Sequence, residues 1–224
     1  MKRFLVTPWN GAEWCLTGWD RATEGSFSMR MVVWNGPHEP FEFPEDVHVV
    51  RVPESITGFG AITSYGIEEF THWSNDGDEI WVLNNDIEGS FLPEAIPPGC
   101  MYGPQFVSTG QVVNPKTRAR AGMAKEGLPD ICYLDGWAVG AHVETWAKFQ
   151  ETFGSAMPIM KGYYWEDPAL ALYCNHHGIL QCSYPTGLKH LGGRTTALRP
   201  EIGEEFEVNR KAFASMLAER LGIQ

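Results

Sequence analysis

The chain has 224 residues, 43% of them hydrophobic, and a formal net charge of −11. That length suffices for one substantial core, so a single domain over residues 1–224 is expected rather than two small ones. The acidic balance argues against a phosphate-backbone footprint and hence against free nucleic acid as a partner, and no apolar run approaches the ~20 residues of a transmembrane segment.

Arg3 to Thr7 reads as a first buried strand, and Gly11 to Thr23, apolar at Trp14, Cys15 and Trp19, as a helix. β-Branched runs at Met29 to Asn35 and Val47 to Val52 predict two further strands. Phe59 to Trp73 places Ile62, Tyr65, Gly66, Glu69 and Phe70 at helical spacing, and Glu79 to Asn84 reads as the next strand. Strands alternating with helices predict a largely parallel sheet covered on both faces. Past Asp86, the prolines at 93, 97, 98 and 104 and the glycines at 99 and 103 preclude a long helix, and Gln105 to Val113 reads as a strand pair in a loop-rich insertion. Ile131 to Val139 predicts a strand, Val143 to Phe153 and Glu166 to His177 predict helices, and Ile179 to Tyr184 a short strand. A closing helix from Glu205 to Leu221 would set Phe206, Phe213, Met216, Leu217 and Leu221 on one face.

Charge is unevenly placed. Between Val52 and Pro115 there is no Lys or Arg, yet the stretch holds Glu54, Glu68, Glu69, Asp76, Asp78, Glu79, Asp86, Glu88 and Glu94. Such a field attracts cations, and a solvated acidic face accounts for most of it. Asp86 stands apart: the apolar run Ile80-Trp81-Val82-Leu83-Asn84-Asn85 ends in it and delivers its carboxylate to the mouth of a sheet. In open α/β sheets ligands bind beyond the carboxyl ends of the strands. Tyr163-Tyr164-Trp165-Glu166-Asp167-Pro168 adds an acid pair at the start of an apolar helix, and His190-Leu191-Gly192-Gly193 adds a late imidazole. One acid, one acid pair and one His are what a metal-assisted transfer needs.

The five cysteines (15, 100, 132, 174 and 182) are odd in number and form no C-x-x-C. Reduced thiols in a cytoplasmic protein are the expectation. Cys174, His176, His177 and Cys182 match the spacing of no common zinc finger, and on a helix only Cys174 and His177 would share a face.

Four blocks, in this order and spacing, carry a resemblance over most of the chain: Thr57-Gly58-Phe59-Gly60-Ala61-Ile62-Thr63-Ser64-Tyr65-Gly66-Ile67, Trp81-Val82-Leu83-Asn84-Asn85-Asp86, Tyr164-Trp165-Glu166-Asp167 and His190-Leu191-Gly192-Gly193. Together they resemble the family-2-type glycosyltransferases of the GT-A fold, an α/β class with a mostly parallel mixed central sheet flanked by helices, and most of all the rhamnosyl- and galactofuranosyl-transferase branch. The resemblance implies a nucleotide-sugar-binding half over residues 1–90, an acceptor and catalytic half over 91–200, and a C-terminal helix over 201–224. It implies a UDP- or dTDP-sugar donor bordered by Thr7, Pro8 and Asn10 at the first strand tip, by Asn35 at the second, and by Asn85 and Asp86, with a glycan or other hydroxyl as acceptor. One departure concerns the base: where the family often has Asp-Asn-Gly or Asp-Gly-Ser after the second strand, this chain has Trp34-Asn35-Gly36-Pro37.

Transfer of a sugar from such a donor releases a diphosphate, whose growing charge a divalent cation neutralises as a Lewis acid. Mg²⁺ or Mn²⁺ takes few protein ligands besides phosphate oxygens. On the resemblance Asp86 and His190 fill that role, with the imidazole favouring Mn²⁺ and Glu88 either a helper or solvated. Asp167 is the expected general base for the acceptor hydroxyl; attack from the face opposite the leaving group inverts the anomeric carbon. Glu166 either orients the acceptor or favours the positive helix start. Asp135-Gly136-Trp137 and Trp165 are candidates for sugar contact, an acid for hydroxyls and flat rings for C–H faces, against the alternative that the rings belong to the core. Arg194 either holds the diphosphate or lies on the surface. Lys116, Arg118, Arg120 and Lys125 form a solvated hairpin, or else meet an anionic acceptor or act as a lid. A sugar nucleotidyltransferase would need a basic, Gly-rich loop after the first strand, where this chain has Asn10-Gly11-Ala12-Glu13.

Overall fold

The computed structural model describes residues 1–91, 94–104, 106–108, 111–113, 133–134, 136–160, 165–184, 187–191 and 202–221. In chain order its strands are β1 (Arg3–Trp9), β2 (Met29–Trp34), β3 (Val47–Arg51), β4 (Glu79–Leu83), β5 (Ile87–Glu88), β6 (Cys100–Pro104), β7 (Phe106–Ser108), β8 (Gln111–Val113), β9 (Ala138–His142), β10 (Leu180–Tyr184) and β11 (Lys189–His190). The helices are α1 (Leu16–Thr23), α2 (Phe59–Thr71), α3 (Val143–Phe153), α4 (Glu166–His177) and α5 (Ile202–Leu221).

Seven strands form the central sheet in the order β10-β6-β9-β4-β1-β2-β3. β3, β2, β1 and β4 run parallel. β9 enters antiparallel between β4 and β6, and β10 lies parallel to β6. Every residue of β4 is buried, as expected of an apolar strand covered on both faces.

Alternation along the strands sorts side chains into two layers. Phe4, Val6, Met31, Val33, Ile80 and Val82 pack with Ile62, Ile67 and Phe70 of α2, Trp146 and Phe149 of α3, and Leu170 and Tyr173 of α4. The opposite layer is rich in aromatic rings: Leu5, Trp9, Trp34 and Trp81 meet Trp19 of α1, with Phe41 and Phe43 folded over them. Trp9 meets Trp19 and Phe43 edge to face at 5.3 and 5.1 Å. A third cluster joins Trp165, Ala169 and Leu172 to Phe213, Ala214 and Leu217 of α5. The side chains of Phe206 and Leu221, assigned to the same apolar face of the tail, lie outside the described residues.

The structure differs from the sequence reading in several places. Residues 11–23 divide into a 3-10 turn at Glu13–Cys15 and a shorter α1. The strand expected from Ile131 starts at Ala138, after a turn at Gly136 and Trp137, while residues 131, 132 and 135 lie outside the described residues. β5, β6 and β11 were not expected as strands; β5 and β11 are two residues each and exist only as partners of one another.

Candidate functional site

The site begins where β4 stops. Beyond Leu83 the chain turns at Asn84, whose N–H donates to the Trp137 carbonyl at 2.8 Å, and reaches Asp86, 4% exposed. The next two residues pair antiparallel with the late strand, Ile87 opposite His190 and Glu88 opposite Lys189. The Leu191 N–H closes the ribbon on the Asp86 carbonyl at 2.8 Å. Gly89, at φ +107°, permits the crossing that follows, because a Cβ there would stand 2.2 Å from the Gly187 carbonyl oxygen; only glycine adopts that backbone without cost and leaves room.

This ribbon brings the imidazole of His190 to the Asp86 carboxylate, Nε2 to Oδ1 at 3.1 Å. The indole of Trp137 lies on the imidazole, ring centroids 4.6 Å apart and planes 5° from parallel. On the far side of the same turn, a Cβ at Gly136 would lie 2.8 Å from Oδ1 of Asp167, so that carboxylate rests on the bare Cα of the glycine. Asp167 stands in the first turn of α4 with Glu166 and Pro168, where acids meet the positive end of the helix and a proline N–H is not missed. Asp86, His190, Trp137, Gly136 and Asp167 therefore form one contiguous group.

The remaining expectations fare differently. Asn10 and Asn35 follow the register pair Trp9 and Trp34 beyond β1 and β2, and the Asn35 N–H donates to the Trp9 carbonyl at 2.9 Å. Pro8 is half-buried and Asn10 exposed. The Thr7 side chain shares the inward face of β1 with Leu5 and Trp9, is fully buried, and accepts the indole N–H of Trp19 at 2.9 Å. The Trp165 ring is 1% exposed and packs on Phe213 at 5.3 Å, and the residue holds φ at 73°, an unusual conformation for a bulky residue. Glu166 is buried and Glu88 exposed. Asp135, Arg194 and the cluster Lys116, Arg118, Arg120 and Lys125 lie outside the described residues.

Two features suit the group to a cation and an oxygen-rich ligand. A separation of 3.1 Å between the nitrogen and oxygen donors matches the ~3 Å between neighbouring ligands of an octahedral ion with bonds of about 2.1 Å. No group of three or more His, Cys, Asp and Glu residues gathers among the described residues. The Asn85 side chain is 8% exposed, and its amide nitrogen has no hydrogen-bond partner among the described residues. A donor buried unpaired costs about 1–3 kcal/mol, which an incoming ligand oxygen would remove. Cys174 belongs instead to the core; its thiol is pushed up to about 12 by burial, far from the thiolate that a metal requires.

The late ribbon was invisible to periodicity, since strands of two residues carry none. Its signal was the pair Gly89 and Gly187 flanking the segments that bear Asp86 and His190.

No protein-family model and no curated protein matches the chain in sequence. Solved structures match it in fold. A glucosyl-3-phosphoglycerate synthase from Mycobacterium tuberculosis, in complex with Mn²⁺, UDP-glucose and glycerol 3-phosphate, aligns with TM-score 0.56 and 15% identity over 100% of this chain and 81% of that one. A putative glucose-1-phosphate thymidylyltransferase from Bacillus anthracis, in complex with a sucrose, aligns with TM-score 0.50 and 10% identity over 94% and 95%. At such identities the likeness establishes the fold alone: a mixed α/β chain with the GT-A fold, its mostly parallel central sheet flanked by helices.

Proposed function

We propose that the protein, one domain over residues 1–224, is a divalent-cation-dependent glycosyltransferase that moves a sugar from a nucleoside diphosphate to an acceptor hydroxyl with inversion. The observation that carries this reading is the 3.1 Å Asp86–His190 pair beyond the carboxyl ends of parallel strands, with Asp167 across the Gly136 turn. Fold analogy raises the prior, but the site has to carry the function.

Asp86 and His190 would hold the cation, which supplies Lewis-acid neutralisation of the departing diphosphate; a mixed oxygen and nitrogen pair favours Mn²⁺ over Mg²⁺. Asn85 donates its buried amide N–H to an oxygen of the donor. Asn10, Asn35 and Pro8 border the nucleoside. Asp167 accepts the proton of the acceptor hydroxyl as its oxygen attacks, and Glu166 orients that acceptor. By resemblance Asp135 contacts the sugar and Arg194 the diphosphate. A UDP- or dTDP-sugar is the donor class, and the order and spacing of the four sequence blocks together favour the rhamnosyl or galactofuranosyl branch. Cys15, Cys100, Cys174 and Cys182 form no disulfide among the described residues, and no helix among them is long and apolar enough to cross a membrane; a cytoplasmic setting is part of the proposal.

The likeness to a thymidylyltransferase supports a second reading, a sugar nucleotidyltransferase. Against it, Asn10-Gly11-Ala12-Glu13, the connection out of β1, carries no basic residue to grip a triphosphate. A non-catalytic sugar-nucleotide-binding module is a third: it would bind donor and turn nothing over, with nothing for Asp167→Asn to abolish.

The test is thermal stabilisation by a panel of UDP- and dTDP-sugars with Mn²⁺. At 100 times Kd a ligand adds about 2.7 kcal/mol, roughly 5–10 °C for a chain of this size. At least one donor should raise the Tm of the parent and leave Asp86→Ala unmoved; a panel in which no donor stabilises the parent more than the variant sinks the proposal.

A further inference from the structure

Trp137 has a neighbour that the sequence could not supply. Its indole is within 5° of parallel to the His190 imidazole at 4.6 Å, whereas most ring pairs around Trp9 and Trp34 meet edge to face at 75–87°. The residue is 8% exposed. With one face covered by the imidazole and little surface left to solvent, it is poorly placed to receive the flat side of a sugar.

The stack fixes what the main chain leaves free. Pairing of β11 with β5 sets the position of the His190 Cα, and the Leu191 N–H on the Asp86 carbonyl sets the strand direction. Neither sets the plane of the ring, and the His190 side chain, 21% exposed, keeps rotational freedom about two torsions. A flat neighbour at stacking distance removes that freedom. Trp137 is itself locked to the strand tip that carries Asp86, because its carbonyl accepts the Asn84 N–H at 2.8 Å. Trp137 thus touches the imidazole with its side chain and the strand tip leading to Asp86 with its main chain.

We propose that Trp137 is a positioning residue whose indole holds the His190 imidazole in the plane where Nε2 meets Asp86, so that the cation site is formed before the cation arrives. This rests on the reading of Asp86 and His190 as the cation-holding pair. Groups that orient a metal ligand typically cost 10–100-fold in metal affinity when lost.

The test titrates Mn²⁺ alone into the full chain, followed by water-proton relaxation, for the parent, Trp137→Phe, Trp137→Leu and His190→Ala. A metal-free companion records the His190 ring protons by NMR, identified by their loss in His190→Ala. Trp137→Leu should weaken Mn²⁺ binding by about 10-fold or more and release the His190 ring protons from the shielding of the indole, while Trp137→Phe, which keeps a flat ring, stays within about threefold. If Trp137→Leu does not fold, Trp137→Met fills similar volume without a ring and carries the same expectation. Parent-like Mn²⁺ affinity in the ring-less variants, with affinity lost in His190→Ala, overturns the positioning role and leaves the cation site standing. A parent that binds no Mn²⁺, or a His190→Ala variant that binds like the parent, overturns the cation site and the positioning role with it.

Discussion

Glu79 and Asp86 are buried carboxylates at opposite ends of one run of chain, and their surroundings are opposite too. Glu79, wholly buried at the start of β4, accepts from the Ile96 N–H at 2.7 Å, the Arg3 guanidinium at 2.9 Å and the Trp81 indole at 3.3 Å. Asp86, almost as buried beyond the strand's end, has the His190 imidazole as its side-chain partner among the described residues. A carboxylate that already accepts from three fixed donors keeps little capacity for a ligand. One that shares its burial with an imidazole and an unpartnered Asn85 amide retains acceptor capacity. Burial alone does not separate structural from functional acids; the partners do.

The sharpest break in that comparison lies in turnover. Asp167→Asn should lower kcat by about 10²–10⁴-fold, the usual contribution of a positioned base, while donor-induced stabilisation persists; a variant that turns over like the parent would remove Asp167 from the chemistry. At the other end of the strand, Glu79→Ala should cost about 3 kcal/mol in denaturant unfolding, since it strands Arg3 and two N–H donors. Its Mn²⁺ affinity per folded molecule should stay at the parent value, and a lower one would show that the two ends are coupled.

A smaller effect is expected at the turn between the two sides of the site. In Gly136→Ala the added methyl would meet Oδ1 of Asp167 at 2.8 Å. The carboxylate end can swing aside with little loss of stability, but a displacement near 1 Å costs about 10²-fold in rate. Lower kcat with unchanged donor stabilisation is the expected pattern, and unaltered kcat would mean that the carboxylate works from elsewhere.

The smallest effect marks the purely structural charge cluster of the first half. Arg30 bridges Asp20 and Asp46 at 2.6 and 2.7 Å. Although burial opposes it, those bonds hold the Arg30 pKa above its ordinary value. The hydrogen bond from Arg30 holds the Asp46 carboxyl below the usual carboxylate range. A depressed acid adds stability above its unfolded pKa of about 3.9 and loses it as pH falls through the folded value. Asp46→Asn should therefore flatten the fall of Tm below about pH 4. The effect should be slight, because the Asp46 side chain is 64% exposed and screened; an identical acid limb in both proteins would remove the pair from the balance.

Much of this was legible in the chain itself. The sequence reading of α3 and α4 coincides with the structure at both ends, because their apolar spacing is closed by Gly154 and Gly178, each left-handed. β4 and Asp86 were legible because an all-buried strand needs a continuous apolar run, and its first polar residues mark the exit. The inward direction of Thr7 follows from the period of two, which sets it with Leu5 and Trp9, but its partner Trp19 lies on a separate helix that no local pattern names. The packing of Trp165 was not legible, because its partner Phe213 is distant in sequence. The Trp137–His190 stack arises only from the way the fold closes, and the β5–β11 ribbon left no local mark beyond the glycines at 89 and 187.

The most direct test of the central claim is anomalous diffraction at the manganese edge from crystals of the parent soaked with Mn²⁺ and a nucleoside diphosphate. A peak bonded to both the Asp86 carboxylate and Nε2 of His190, on the side facing Asp167, is the expected result. A peak elsewhere, or none at that pair while nucleotide density is clear, would contradict it.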